Sequence, residues 1–311
     1  MSKSRSRSRT KRIKSIGVHT STPKHKYGLI PVNNLTYGNP NLGEKQVIKR
    51  GGSFDHISNG LKNIPYPNND SEYARKEVMT ILKTMNKLKN KKIAELCVSY
   101  DEQLIEVMID IAEKCGVQNA EKFVISVYND INPIILKLKF FHNRIRPFQL
   151  ANIQSISLNP MPSNSSNSPS YPSSHTIQSK VFADILSARY PDKQEMLNKF
   201  AGQCEQSRIL MGLNFPSDNL YALDVAKRIS ENVEFKKKYH QVNKISEQVE
   251  LSSQEKNTQR IDEQRNRGDT QTTHTEDEIF GGPISNQGSS LDYKKMMKDE
   301  EVFGGLPDVS S

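Results

Sequence analysis

Between residues 68 and 229 the apolar side chains recur three and four positions apart, and no convincing alternating stretch interrupts them. That periodicity places one face of each segment against a core and predicts helices, not strands. Ser71 can cap a helix running through Tyr73, Val78, Ile81, Leu82 and Met85. A second runs from Asp101 through Leu104, Val107, Met108, Ile111 and Ala112 and stops near Gly116. A third starts around Ala120 and a fourth near Pro133, where a proline suits a first helical turn. A fifth follows His175 with Ile177, Val181, Ile185 and Leu186; a sixth covers about 194–213 and a seventh about 218–229. The chain is therefore expected to hold an all-α domain over residues 53–245.

The flanks read differently. Residues 1–52 are expected to be a disordered basic arm, polar and Gly-rich up to Gly51-Gly52. Its first 27 residues carry nine Lys/Arg and no acid. Such an arm suits nucleic acid or an anionic membrane surface, and equally a solubilising tail. Residues 246–311 are expected to be a disordered acidic tail, with seven Lys/Arg against fourteen Asp/Glu. Of the net +9, about +7 therefore falls between the flanks, +9 less +9 for the arm and plus 7 for the tail. A basic middle suits an anionic ligand. The tail repeats one short text: Glu278-Ile279-Phe280-Gly281-Gly282 returns as Glu301-Val302-Phe303-Gly304-Gly305. Two apolar plugs centred on Phe280 and Phe303 fit a bivalent protein-docking peptide, or a simple duplication.

No apolar run approaches the ~18 residues of a membrane span, and the first residues lack the apolar core of a secretory signal. The three cysteines, Cys97, Cys115 and Cys204, have no metal-type spacing. A non-secreted, cytoplasmic protein with reduced buried thiols is expected, with virion or peripheral membrane association as further options. No cofactor and no metal site are expected.

Three runs carry the chemistry. Lys139 and Arg146 are seven positions apart, two turns, so both can share one helix face; Pro147 then biases Arg146 out of the helix. Alone, the pair also fits a solvated basic face with Lys137 and Arg144. Pro172-Ser173-Ser174-His175 precedes an apolar-periodic helix, so Ser173 or Ser174 can be its N-cap. The unpaired N–H groups of that helix start form a natural anion seat, beside a histidine able to donate a proton. Arg208 lies on a stripe with Leu197, Ala201, Cys204 and Met211. A buried arginine needs an anionic partner from protein or ligand, unless it snorkels to the surface. The Ser-, Pro- and Asn-dense loop before His175 cannot be helical, and loops of that length are usually functional or disordered.

Together the runs resemble the three-part signature of the type-2 phosphatidic-acid phosphatase and vanadium-dependent haloperoxidase superfamily: Lys-x6-Arg-Pro, Pro-Ser-Gly-His and Ser-Arg-x5-His-x3-Asp. The resemblance covers roughly residues 65–230. It implies a helical bundle of the acid phosphatase and haloperoxidase type, of the soluble kind. It also implies that Lys139, Arg146 and Arg208 grip phosphate oxygens and that Ser173 and the Ser174 backbone add hydrogen bonds. By the same resemblance His175 is the general acid for the leaving alcohol, and Asp218 orients the nucleophilic histidine.

Two positions depart from the pattern. Ser174 stands where the family has glycine, and Asn214 stands where it has its nucleophile. A carboxamide has no basic lone pair comparable to imidazole's and should not form a phosphoenzyme. The same histidine ligates vanadate in haloperoxidases, so that activity is not expected either. His142 lies near the first motif but, three positions from Lys139, need not face the phosphorus. Three readings follow: a phosphomonoesterase working poorly or by an altered route, a phosphate-binding pseudoenzyme, or a scaffold or virion-type structural protein. The leaving-group pocket is expected to be shaped by the loop before Tyr171 and by residues before Lys139.

Overall fold

The structure is a computed structural model, and it describes residues 31–240. The basic residues of 1–27 and the Phe280 and Phe303 repeats lie outside the described residues. Within them the chain is all-helical: α1 Leu42–Arg50, α2 Glu72–Met85, α3 Lys91–Glu102, α4 Leu104–Lys114, α5 Ala120–His142, α6 Pro147–Ile153, α7 Ser174–Arg189, α8 Gln194–Leu210, α9 Pro216–Glu231 and α10 Val233–Tyr239, with short 3-10 turns between some of them. Among the described residues there is no strand, and no helix is long and apolar enough to cross a membrane. Cys97, Cys115 and Cys204 are buried free thiols.

Helix α7 forms the axis. It packs against α8 on one side and α9 on another, with α5 and α4 completing its surround. Its burial runs around the helix, from Ile177, Val181, Ile185 and Leu186 to Phe182 and Ala183. Between its end residues, only the stripe of Lys180, Asp184, Ser187 and Ala188 keeps substantial contact with solvent, and a helix buried over most of its surface belongs in the middle of a bundle. One core joins α5, α7 and α9 through Ile131, Ile134, Leu138, Ile177, Val181, Val225 and Ile229. A second joins α3, α4, α7 and α8 through Tyr100, Met108, Phe182, Phe200 and Cys204.

Several expectations change in detail. The predicted third and fourth helices are one 23-residue helix, α5, with Pro133 inside it. Proline removes one donor from an interior turn, but a helix so closely packed can absorb that loss. Helices α3, α6 and α10 were not foreseen. The arm expected to be disordered up to residue 52 instead carries α1, started by a reciprocal Asn41–Glu44 capping box. Gly51 closes α1 at φ +67°, and a Cβ there would lie 2.1 Å from the Asp55 carboxylate. That carboxylate pairs with Lys137 at 2.5 Å, anchoring the segment to α5.

Candidate functional site

The turn after α5 places the first motif. Asn143 takes the left-handed conformation at φ 53°, and its N–H donates to the Lys139 carbonyl at 2.7 Å, ending the helix. Lys139 thus stands in the last turn of α5. Arg146 is extended, at ψ 157°, and forms the N-cap of α6 with Pro147 at its first position. The two cations therefore do not share a helix face; the tight turn between two helices brings them together. Arg146 is out of the helix, as the following proline dictates.

The loop before α7 is tied to this turn. Ser170 donates its N–H to the Arg144 carbonyl at 3.0 Å and its hydroxyl to the Ile145 carbonyl at 2.9 Å. Three successive loop carbonyls then receive three site side chains. Arg146 Nε donates to Ser168 O at 2.9 Å, Lys139 Nζ to Pro169 O at 2.5 Å, and Asn214 Nδ2 to Ser170 O at 2.8 Å. Arg146 Nη1 also donates to Leu213 O at 2.9 Å and to Asn214 Oδ1 at 3.4 Å. The first and third motifs and the intervening loop thus converge.

Helix α7 begins with Ser173 as N-cap, but the cap is not made by its side chain. The Ser173 hydroxyl accepts from Thr176 Oγ1 at 2.9 Å, and its N–H donates to the Asp218 carbonyl at 3.2 Å. Both groups are engaged within the protein, whereas the resemblance assigns Ser173 to the phosphate. Ser174 opens the helix at the edge of a cavity of about 360 Å³, also lined by Asp101, Ser165 and His175.

The third motif closes α8 and opens α9. Gly212 turns the chain at φ 73°, and the N–H groups of Leu213 and Asn214 both return to the Arg208 carbonyl, at 3.0 and 3.3 Å. Asp218, in the first turn of α9, accepts the Phe215 N–H at 2.8 Å and the Asn214 amide at 3.2 Å. Asp218 thus holds the side chain at position 214, a carboxamide where the resemblance implies an imidazole. The stripe on α8 is buried, Arg208 included.

Two carboxylates that the motifs do not contain organise the charges. Arg208 Nη1 pairs with Asp101 Oδ1 at the end of α3, a carboxylate that also accepts from Ser163 and Ser165. Burial pushes the Asp101 acid up, but Arg208 and the serine hydrogen bonds outweigh it and leave it below its ordinary value. Arg144, first noted only as a neighbour, is fully buried. It donates to Asp218 at 2.6 Å and Glu77 at 3.0 Å, and lies 3.8 Å from the Phe215 ring centre. Sequence spacing could not reveal either pairing, since Asp101 and Arg208 are 107 positions apart and Glu77 and Arg144 are 67 apart. A buried arginine demands a partner, yet the demand does not name it.

Lys139 and Arg146 differ from these. Among the described residues neither is paired with a carboxylate; both rest on neutral oxygens. Burial, with Arg146 and Arg208 adding repulsion, lowers the Lys139 ammonium well below its ordinary value, against the opposing pull of Asp218 and Glu44. Burial and Arg208 bring Arg146 down to about 10. Burial, and after it Arg208, pushes His175 well below its ordinary value against the pull of Asp101, which favours the neutral imidazole. Its Nε2 faces the Asp101 carbonyl at 3.5 Å. His142 faces elsewhere, edge-on to Tyr171 and Tyr221, and burial lowers it to about 4. It does not replace a nucleophile at this site.

The cavity beside His175 is walled by Glu102, Leu104, Ile105 and Glu106 from the α3–α4 junction, Tyr128 and Asn132 from α5, Ser165 from the loop, and Gln178 from α7. Its wall draws on the loop before Tyr171, on α5 and on the α3–α4 junction, the last not foreseen from the sequence. No protein-family model matches this chain, and no curated protein matches it.

Proposed function

We propose that this protein is a member of the phosphatidic-acid phosphatase and haloperoxidase superfamily that binds phosphate or a phosphomonoester between Lys139, Arg146, Arg208 and the start of α7, and that it does not form a phosphoenzyme. One observation carries the binding reading: Lys139 and Arg146 are two buried neighbouring cations resting only on neutral acceptors. Charge buried without countercharge is costly, and a tetrahedral anion supplies the countercharge. The order of the three motifs and the helical architecture agree with the superfamily.

The geometry at Asn214 favours binding over turnover. Its amide donates to Ser170 O and Asp218 Oδ2, so the position is filled by a group that holds the site together and presents no nucleophile. His175 can serve as an acid only after its proton affinity rises, and a dianion beside it provides that rise. Slow hydrolysis by direct attack of water, with His175 protonating the leaving oxygen, is the residual route.

Calorimetry of the full chain with inorganic phosphate and with vanadate tests the reading. Saturable binding that Arg146→Met weakens supports it. Absence of binding by a chain whose circular dichroism shows a folded helical protein overturns it and leaves the scaffold reading.

A further inference from the structure

Between α1, the 3-10 turn after it and the last turns of α5 lies an open groove of about 610 Å³, whose wall includes Ile48, Asp55, Lys62, Lys137, Phe140 and Phe141. None of the residues assigned to the phosphate lines it. Its surface is largely apolar, and Phe141 is 56% exposed there. A large apolar side chain left open beside a concave apolar wall marks a docking surface. Cations border it. Lys137 is paired with Asp55, whereas Lys62 meets neutral groups, donating to Asn59 Oδ1 at 3.3 Å and lying 5.5 Å from the Phe141 ring centre. Helix α1 adds the exposed Lys45, Lys49 and Arg50.

The tail carries a text of matching chemistry. Glu276-Asp277-Glu278 precede Ile279-Phe280-Gly281-Gly282, and Asp299-Glu300-Glu301 precede Val302-Phe303-Gly304-Gly305. Each copy offers three acids to the cations, an aliphatic and an aromatic side chain to the apolar wall, and two glycines that allow close backbone approach. Position agrees with chemistry. Phe235 of α10 packs on Phe54 with ring centres 5.2 Å apart, and Phe54 directly precedes Asp55 of the groove. Forty residues separate His240 from Phe280. A coil of that length averages roughly 35 Å end to end, enough to return to a groove whose flank α10 already touches.

We infer that this groove seats the chain's own tail in cis: one of the two copies docks with Phe280 or Phe303 against Phe140 and Phe141 and with its acids toward Lys62 and α1. The inference is independent of phosphate binding.

The test titrates a synthetic peptide of residues 274–284 calorimetrically into full-length proteins: the parent, Phe280→Ala/Phe303→Ala, and that double variant with Phe141→Asp or, separately, Lys62→Glu added. The tail substitutions lie outside the helical domain, and Phe141 and Lys62 lie outside its core, so all are expected to fold. The double variant should bind the peptide one to one. The parent should bind it at least about 5-fold more weakly, because a tethered plug competes at an effective concentration on the order of 1 mM. Phe141→Asp should weaken binding to the double variant at least about 10-fold, and Lys62→Glu about 3-fold or more. No binding to the double variant, binding that neither groove substitution weakens, or equal affinity in parent and double variant overturns the inference. A parent that competes but sediments as a dimer, beside a monomeric double variant, places the tail on a second copy and overturns docking in cis.

Discussion

Arg144 Nη1 lies 2.6 Å from Asp218 Oδ1, and neither side chain has any exposed surface. Glu77 closes the group from α2 by accepting from Arg144 at 3.0 Å and from the Ser217 N–H at 2.7 Å. Three charges from α2, the α5–α6 turn and α9 thus fix the residue that holds position 214. Burial raises the Glu77 acid, against the opposing pull of Arg144 and Ser217. This is a structural ion network serving the site from behind.

Removing its centre leaves two buried carboxylates without a cation. Arg144→Met should destabilise the fold by roughly 3–5 kcal/mol, the cost of breaking a buried pair one-sidedly. The urea midpoint reports it. Arg144→Lys should recover only part of the loss, because one ammonium cannot replace the planar fork that spans Asp218 and Glu77. Full recovery with lysine would show that charge alone suffices.

Lys139→Met should behave in the opposite way. The ammonium is buried against a single carbonyl, so its loss removes a desolvation cost along with one hydrogen bond. Stability should stay within about 1 kcal/mol of the parent, while phosphate affinity drops at least about 10-fold through loss of a charge-assisted contact. A large stability loss with unchanged phosphate affinity would assign Lys139 a purely structural role.

Asn214→His restores an imidazole next to Asp218. Phosphate release from p-nitrophenyl phosphate should rise at least about 100-fold over the parent, still short of the roughly 10³–10⁶ that nucleophile loss costs elsewhere. The accompanying Asn214→Ala control should stay at the parent's level. Parent activity that is already substantial and vanishes with His175→Ala would mean that water attack suffices.

Acid should unfold the protein through its histidines. His175 and His142 both have folded-state values below the ordinary 6.5, His142 at about 4, with burial the leading cause in each. The unfolded chain therefore takes up protons first as pH falls through 6.5. Stability is lost progressively from there downward, and for His142 the loss levels off below about 4. Urea midpoints at pH 7.5, 6 and 5 should fall in that order. His142→Phe, placed among Tyr171 and Tyr221, should flatten the slope.

Much of this architecture was legible in the residues, and the failures have physical causes. Ser71 caps α2 by accepting the Ala74 N–H, as its position before an apolar stripe dictates. The buried stripe of α8 was equally plain. Pro133 misled because local propensity favours a helix start, while packing along both ends of α5 carries the helix through. Lys139 and Arg146 were rightly joined but by the wrong geometry, since the left-handed Asn143 that separates their helices has no periodic signature. Asp101 stayed hidden as a partner because ion pairs across a bundle obey three-dimensional proximity and leave no spacing behind.

The carbonyls of Ser168, Pro169 and Ser170 hold Arg146, Lys139 and Asn214 in place with no net charge of their own. These neutral backbone oxygens already satisfy the buried donors, so under the proposed phosphate binding, capture would be a swap of backbone oxygens for ligand oxygens inside an already finished fold.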